Sequence, residues 1–147
     1  MTIHTSLITR IRLTACQQSA FRLPTGQLIE EYFDEYLLAA DPTLLRDVAR
    51  EIVQYVPVDT EMLVGLELGG IPLAVALSAA TGIPVGFLRR ERKSYGTCRQ
   101  MEGRLVTGRN VALVDDVVRS GSPNTSRGIV SPSRRRQRHY GDLCSRS

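Results

Sequence analysis

Two adjacent acids, Asp115 and Asp116, directly follow a short apolar run at 111–114. The run is continuous and rich in valine, which predicts a strand buried on both faces of a parallel sheet. Open α/β sheets bind ligands just beyond the carboxyl ends of their strands. The following Ser120-Gly121-Ser122 offers backbone N–H groups and hydroxyls without bulky side chains, as phosphate-binding loops do. The stretch therefore predicts a site for a phosphorylated sugar, although paired acids after a strand also occur as plain turns or helix N-caps.

A glycine pair, Gly69-Gly70, lies between a predicted buried strand at 62–66 and an apolar stretch that runs to Ala80. Pro72 is placed to open a helix there. A strand, a glycine pair and a helix N-terminus together can receive an anion on backbone N–H groups and on the helix dipole. Close packing of strand on helix is the alternative reason for such a pair.

The segment 89–109 concentrates positive charge between the predicted strands at 85–88 and 111–114. It carries seven basic residues against two acids, Glu91 and Glu102, and it contains Lys93, the one lysine of the chain. A connection of this length without structure of its own is usually functional. A solvated charge run is one interpretation, and a loop that closes over a polyanion is the other.

The remaining pattern indicates the elements that must position these residues. Residues 6–19 show helical spacing of apolar side chains, and Asp41-Pro42 is a typical helix start with an apolar stripe that reaches Tyr55. With strands predicted at 62–66, 85–88 and 111–114, the fold class is α/β with a mostly parallel sheet flanked by helices.

The composition excludes several classes of protein for this chain. The 147 residues suit one domain, no apolar run is long enough to span a membrane, and we expect no signal peptide. Three cysteines without CxxC spacing predict neither a disulfide framework nor a zinc site, so a cytoplasmic protein is expected. The net charge of +4 comes from the end of the chain, because 13 basic and 14 acidic residues precede position 123. No nucleic-acid or membrane partner is therefore expected.

The stretch 111–122 resembles the phosphoribosyl-diphosphate motif of type I phosphoribosyltransferases, four apolar residues followed by D-D-V-V-x-[ST]-G-[ST]. Residues 89–97 with Met101-Glu102-Gly103 resemble the R-K-E-x-K-x-[HY]-G-T…EG loop of orotate phosphoribosyltransferases, and residues 21–34 resemble their F-x-L-x-[ST]-G-x5-YFD hood. The resemblance covers about residues 7–122.

This resemblance implies transfer of ribose 5-phosphate from phosphoribosyl diphosphate to orotate, with Mg²⁺ bound mainly through the substrate and no protein residue as metal ligand. It implies a homodimer with shared active sites, because the loop reaches into the partner subunit. Catalytic roles fall on Lys93, Asp115 and Asp116. The implied ligands of phosphoribosyl diphosphate are Gly69, Gly70, Arg89, Arg90, Lys93, Tyr95, Asp115, Asp116, Val117, Val118, Arg119, Ser120, Gly121, Ser122 and Pro123.

Three positions depart from the family pattern. Pro24 stands where the family has a lysine, and proline can neither carry charge nor donate a backbone hydrogen bond. Arg119, the implied base-binding residue, replaces a small hydroxyl residue. Arg90 stands where the family motif has a lysine, so the positive charge is kept but the shape of the side chain differs. A phosphoribosyltransferase for another base, or a non-catalytic truncated product or regulator that binds phosphoribosyl diphosphate, therefore stays an alternative.

The resemblance stops after Ser122. We predict a phosphoribosyltransferase domain over 1–122 that lacks its C-terminal end, followed by a basic tail over 123–147. The tail is rich in Pro, Ser and Arg and without helical periodicity, so disorder is expected. A truncation or shifted reading frame explains such a tail, and a nucleic-acid or membrane patch at Arg134–Arg138 is the alternative. With the last strands missing, the strand at 111–114 would be an exposed edge.

Overall fold

The computed structural model describes residues 5–104, 108–116 and the backbone of 130–133. Within these residues the structure has four helices: α1 (Thr5–Ala15), α2 (Glu35–Ala40), α3 (Pro42–Ile52), which continues into a 3-10 turn at Val53–Tyr55, and α4 (Gly70–Thr81). The strands are β1 (Cys16–Arg22), β2 (Leu28–Phe33), β3 (Met62–Leu66), β4 (Val85–Leu88), β5 (Met101–Gly103), β6 (Val111–Val114) and β7 (Val130–Ser133). None of the helices in these ranges is long and apolar enough to cross a membrane.

A five-stranded sheet in the order β5-β4-β3-β6-β7 forms the centre of the molecule. The three middle strands are parallel, and the two outer strands run antiparallel to their neighbours. The predicted α/β class with a mostly parallel sheet is thus confirmed. Because Leu66 pairs with Leu88 and Gly65 with Val114, the carboxyl ends of β4, β3 and β6 lie side by side at one edge.

The two outer strands differ from the sequence predictions. β5 lies inside the basic segment that was expected to lack structure, and β7 pairs with β6 from Val111↔Ser133 to Val114↔Val130, so the prediction of an exposed edge at β6 is wrong. Neither strand has a clear local signal, since β5 has three residues and β7 contains Pro132. An outer strand tolerates a proline because only one of its sides is paired. Four residues of the predicted tail therefore belong to the sheet.

The core lies between the sheet and helices α3 and α4. Leu63, Leu77 and Val114 are fully buried in it, together with Leu44 of α3. Gly65 permits this packing, because a Cβ there would lie 2.9 Å from the Cβ of Ala74 on α4. As predicted, Asp41 caps α3, and its Oδ1 accepts hydrogen bonds from the N–H groups of Thr43 and Leu44, both at 2.9 Å.

A two-stranded hood, β1 with β2, precedes the main sheet. Helix α1 ends at Ala15, earlier than the predicted 19, because Cys16 already pairs with Phe33 and the N–H of Asp34 donates to the carbonyl of Ala15 at 2.8 Å. The hood continues into α2, whose N-cap is Asp34. The strand predicted around Tyr32-Phe33 is therefore present, but the turn predicted after it is the start of a helix, because the Asp34 side chain caps the first N–H groups of α2.

Cys16, the first residue of β1, is a free thiol.

Candidate active site

Three segments begin where the three parallel strands end. Glu67 and the glycine pair follow β3, the basic segment follows β4 at Arg89, and the acid pair follows β6 at Asp115. β3 lies between the other two strands, so its loop borders both neighbours. Parallel strands thus bring residues from 67 to 116 to one edge of the sheet, where α/β proteins bind their ligands.

The glycine pair packs directly on the acid pair. A Cβ on Gly69 would lie 1.7 Å from Oδ2 of Asp116, and a Cβ on Gly70 would lie 2.3 Å from the carbonyl oxygen of Val114. Both separations are far below van der Waals contact, so no larger residue fits at either position without a shift. The glycines therefore let the backbone at the start of α4 lie against the carboxylate of Asp116.

The two acids interact with each other at the end of β6. The N–H of Asp116 donates to Oδ1 of Asp115 at 3.0 Å, and both residues are half-buried. Burial, and after it a side-chain hydrogen bond with Asp116, raises the pKa of Asp115 above its usual range. A half-buried pair of carboxylates is suited to accept hydrogen bonds from sugar hydroxyls or to face a cation.

Helix α2 of the hood contributes a second group of polar side chains to this region. Burial, followed by the charges of Glu35 and Asp116, raises the pKa of Tyr36, and the charge of Glu35 also adds to the raised pKa of Asp115. Oε2 of Glu35 is buried without a hydrogen-bond partner among the described residues. The start of α2 therefore adds negative charge near the acid pair.

The basic segment surrounds a cavity of about 340 Å³ at the same edge of the sheet as the acid pair. It is lined by Glu67, Arg89, Arg90, Glu91, Arg92, Lys93, Ser94 and Tyr95. Oε2 of Glu67 accepts the N–H of Arg90 at 2.9 Å, and the N–H of Glu67 donates to the carbonyl of Leu88 at 2.9 Å. Glu67 thereby ties the loop after β3 to the segment after β4.

Lys93 lies at the inner side of this segment. Its Nζ forms an ion pair with Oε1 of Glu102 on β5, and it lies 6.0 Å from the centre of the Tyr95 ring. Nη1 of Arg89 lies 3.9 Å from the same carboxylate oxygen. Two cations thus share one carboxylate, which leaves local positive charge for an anionic ligand.

The structure places the predicted site residues in two neighbouring groups. Gly69 and Gly70 meet Asp115 and Asp116, and one cavity collects Arg89, Arg90, Lys93 and Tyr95. The positions predicted to follow the acids lie outside the described residues: Val117, Val118, Arg119, Ser120, Gly121, Ser122 and Pro123.

Sequence reasoning missed four acidic or phenolic residues of this region. Glu67 stands beside the glycine pair and Glu102 lies within the basic segment, so an acid next to a recognised motif was an available signal for both. Glu35 and Tyr36 precede the acid pair by about eighty residues, and nothing in the local pattern places them near it.

The acid pair fits a magnesium ion by its donor chemistry. Mg²⁺ prefers oxygen ligands and usually binds through one or two carboxylates and substrate phosphates. Asp115 and Asp116 supply such carboxylates, and a cation bound there would favour the ionised form of Asp115, whose pKa is raised mainly by burial. No group of three potential metal ligands occurs within 5–104 and 108–116.

Known proteins resemble most of this chain. The model of the phosphoribosyl transferase domain matches residues 38–122. The orotate phosphoribosyltransferase of a Nocardioides species is 46% identical over 121 residues, 82% of this chain and 68% of that protein. The one of Halobacterium salinarum is 38% identical over 73% of this chain and 61% of its own length.

Solved structures agree with the sequence relatives. The orotate phosphoribosyltransferase of Mycobacterium tuberculosis H37Rv, in complex with Fe(III) dicitrate, superimposes with a TM-score of 0.66 at 26% identity. The match covers 76% of this chain and 65% of that structure. The chain thus spans about two thirds of the length of these relatives.

Proposed function

The chain belongs to the phosphoribosyltransferase family, in its orotate phosphoribosyltransferase branch, and from that premise we propose that it transfers ribose 5-phosphate from phosphoribosyl diphosphate to orotate. The products are orotidine 5′-phosphate and diphosphate, in the synthesis of pyrimidine nucleotides.

The packing of Gly69 and Gly70 on the acid pair supports this function most strongly. A substrate that carries both ribose hydroxyls and a diphosphate needs carboxylates and an anion-binding backbone within a few ångströms of each other. The steric contact between Gly69 and Asp116 places these two kinds of group side by side. The cavity lined by Arg89, Arg90 and Lys93 adds cations at the neighbouring strand end.

We assign the roles as follows. Asp115 and Asp116 accept hydrogen bonds from the ribose hydroxyls, and the 117–123 stretch receives the 5′-phosphate, with Arg119 nearest the base. Gly69, Gly70, Arg89, Arg90, Lys93 and Tyr95 hold the diphosphate.

The ribosyl centre gains oxocarbenium character as its bond to diphosphate breaks, and negative charge builds on the leaving group. Carboxylates on the ribose side and cations on the diphosphate side stabilise those opposite charges. Catalysis is therefore mainly positioning and electrostatic stabilisation.

Mg²⁺ is the proposed cofactor, bound mainly through the substrate, whose ribose lies on Asp115 and Asp116. When bound, it supplies positive charge that offsets the diphosphate. The residues of this chain orient the ribose between the acid pair and the glycine loop.

The protein is proposed to act in the cytoplasm as a homodimer in which each basic segment completes the partner's site. Support for the dimer comes from the segment's place at an outer position of the sheet, beyond β4, where it can extend away from its own acid pair.

A related reaction on another base is the second candidate, because Pro24 and Arg119 depart from the family pattern at positions that the resemblance places near the base. Incubation with phosphoribosyl diphosphate, Mg²⁺ and each of orotate, uracil, adenine and hypoxanthine, with diphosphate release as the readout, separates the two. Turnover with orotate alone supports the proposal, and turnover with another base alone contradicts it.

Binding is measured separately from turnover. Calorimetry with phosphoribosyl diphosphate and Mg²⁺ is expected to show saturable binding that the exchange of Asp116 for Asn abolishes. Binding without consumption of any base indicates a non-catalytic regulator, and absence of binding refutes the proposed site.

A further inference from the structure

Lys93 and Glu102 form the most enclosed ion pair of the described basic segment. The Lys93 side chain is 23% exposed and the Glu102 side chain 28%, compared with 42% and 55% for the two arginines, Arg10 and Arg46, that pair with Asp47. Partial burial strengthens an ion pair because fewer waters screen it. This contact is therefore worth more than a usual surface pair.

Glu102 is held by the sheet, while Lys93 is held by its loop. Glu102 pairs with Phe87 in the β4–β5 ladder, whereas the N–H of Lys93 has only a long hydrogen bond of 3.4 Å to the carbonyl of Arg99. Breaking the ion pair therefore releases Lys93 and leaves Glu102 in place. The carboxylate is the fixed member and the lysine is the movable one.

The positive charge around Glu102 is not fully compensated. Arg89 shares the same carboxylate oxygen at 3.9 Å, and its buried Nε has no hydrogen-bond partner among the described residues. One carboxylate faces two cations, so a second anion is favoured here. A diphosphate supplies more charge and more acceptor oxygens than Glu102 does.

We propose that Glu102 is a positioning residue that binds Lys93 in place of the substrate, and that a diphosphate group takes Lys93 from it when ligand binds. The ion pair keeps the only lysine of the chain in place and partly desolvated before the ligand arrives. It also lowers affinity, because the ligand must compete with Glu102. The exchange of Lys93 from Glu102 to diphosphate rests on the proposed function, whereas the ion pair between Lys93 and Glu102 does not.

The single lysine makes the ion pair directly measurable. Acetylation by an amine-specific reagent, followed by digestion and mass spectrometry, reports Lys93 separately from the α-amino group. In Glu102→Gln we expect Lys93 to react about threefold to fivefold faster than in the unchanged chain, because its partner charge is lost. Glu91→Gln removes the same charge from the same segment, where the described residues show no ion pair between Glu91 and Lys93, and we expect less than about a twofold change.

Inorganic diphosphate with Mg²⁺ then tests the exchange. We expect it to slow acetylation of Lys93 in both chains, at about threefold to fivefold lower concentration in Glu102→Gln than in the unchanged chain. Circular dichroism confirms that each variant is folded.

The outcomes separate the two parts of the inference. Equal acetylation rates in Glu102→Gln and the unchanged chain show that the ion pair does not form in solution, and overturn the inference whatever ligand binds. A similar rise in Glu91→Gln shows an effect of net charge alone and also overturns it. Faster acetylation in Glu102→Gln without protection by diphosphate in either chain refutes the exchange together with the proposed diphosphate site. Weaker protection in Glu102→Gln than in the unchanged chain shows that Glu102 assists diphosphate binding instead of competing with it. That result refutes the inference but leaves the proposed function standing.

Discussion

Asp115 combines a functional position with an unfavourable local environment. Burial and the neighbouring Asp116 raise its pKa, so the folded protein binds a proton at this residue more tightly than the unfolded chain does. A raised carboxyl pKa gives stability that is fully present below the unfolded value and is lost as pH rises through the folded value. At neutral pH the acid pair therefore costs stability, as functional sites often do.

Asp115→Asn is expected to raise the free energy of unfolding at pH 7 and to weaken binding of phosphoribosyl diphosphate at least about tenfold. The gain in stability should shrink as the pH falls below the raised pKa, because Asp115 is then protonated in the original chain. Urea unfolding at several pH values and calorimetry measure the two effects. Glu30→Gln removes an exposed carboxylate from β2 and should change neither quantity. Loss of stability in Asp115→Asn contradicts the prediction.

Gly69→Ala tests the contact between the two loops. Gly69 has a φ of −65°, which alanine adopts freely, so the carboxylate of Asp116 is the obstacle to a methyl group. We expect binding of phosphoribosyl diphosphate to fall at least about tenfold, with a loss of roughly 1 kcal/mol or less in stability.

Gly82→Ala is the matched control for this substitution. Gly82 has a φ of +76° and open space around its Cα, so alanine there should cost about 1 kcal/mol of stability and leave binding intact. Unchanged binding in Gly69→Ala would show that the glycine loop and Asp116 do not act together.

At the scale of elements, a small number of local signals start and end the helices that support the sheet. Asp41 at the N-cap and Pro42 at the first position begin α3, and Gly82 in the left-handed conformation ends α4. α3 buries Leu44 and Ile52 beneath the sheet, and the ion pair of Arg10 with Asp47 joins it to α1. None of these residues lines the cavity of the basic segment, so we expect them to affect stability rather than binding.

Asp41→Ala is expected to lower the free energy of unfolding by about 1 kcal/mol, because the N–H groups of Thr43 and Leu44 lose their acceptor. Denaturant unfolding measures this loss. Thr43→Ala changes an exposed side chain in the same turn and should shift stability by less than about 0.5 kcal/mol. Binding of phosphoribosyl diphosphate should stay the same in both variants, and a parallel loss of binding would show that α3 supports the site directly.

At the scale of the whole molecule, the acid pair and the basic segment belong to two strand ends separated by β3. The proposed dimer joins the basic segment of one subunit to the acid pair of its partner. Lys93→Ala and Asp116→Asn should each reduce turnover at least about tenfold, because each removes charge from one half of a site. Unchanged turnover in Lys93→Ala would refute the role of the basic segment.

Mixing the two variants under conditions that exchange subunits tests the shared site. One site in each mixed dimer regains both an intact acid pair and an intact Lys93, so random mixing should recover about one quarter of the original turnover. Sites contained within single subunits predict no recovery. A mixture of Lys93→Ala with the unchanged chain controls for the exchange itself.

Local chemistry along the chain determined most of the elements and both halves of the candidate site. Buried strands reveal themselves as short apolar runs, Asp41-Pro42 marks a helix start, and the acid pair and basic segment are recognisable from residue type and spacing. Tertiary structure decided how these parts meet: the contact of Gly69 with Asp116, the ion pair of Lys93 with Glu102, and the pairing of β7 with β6. Strand order decides such contacts, and the sequence pattern of one strand does not specify its neighbour in the sheet.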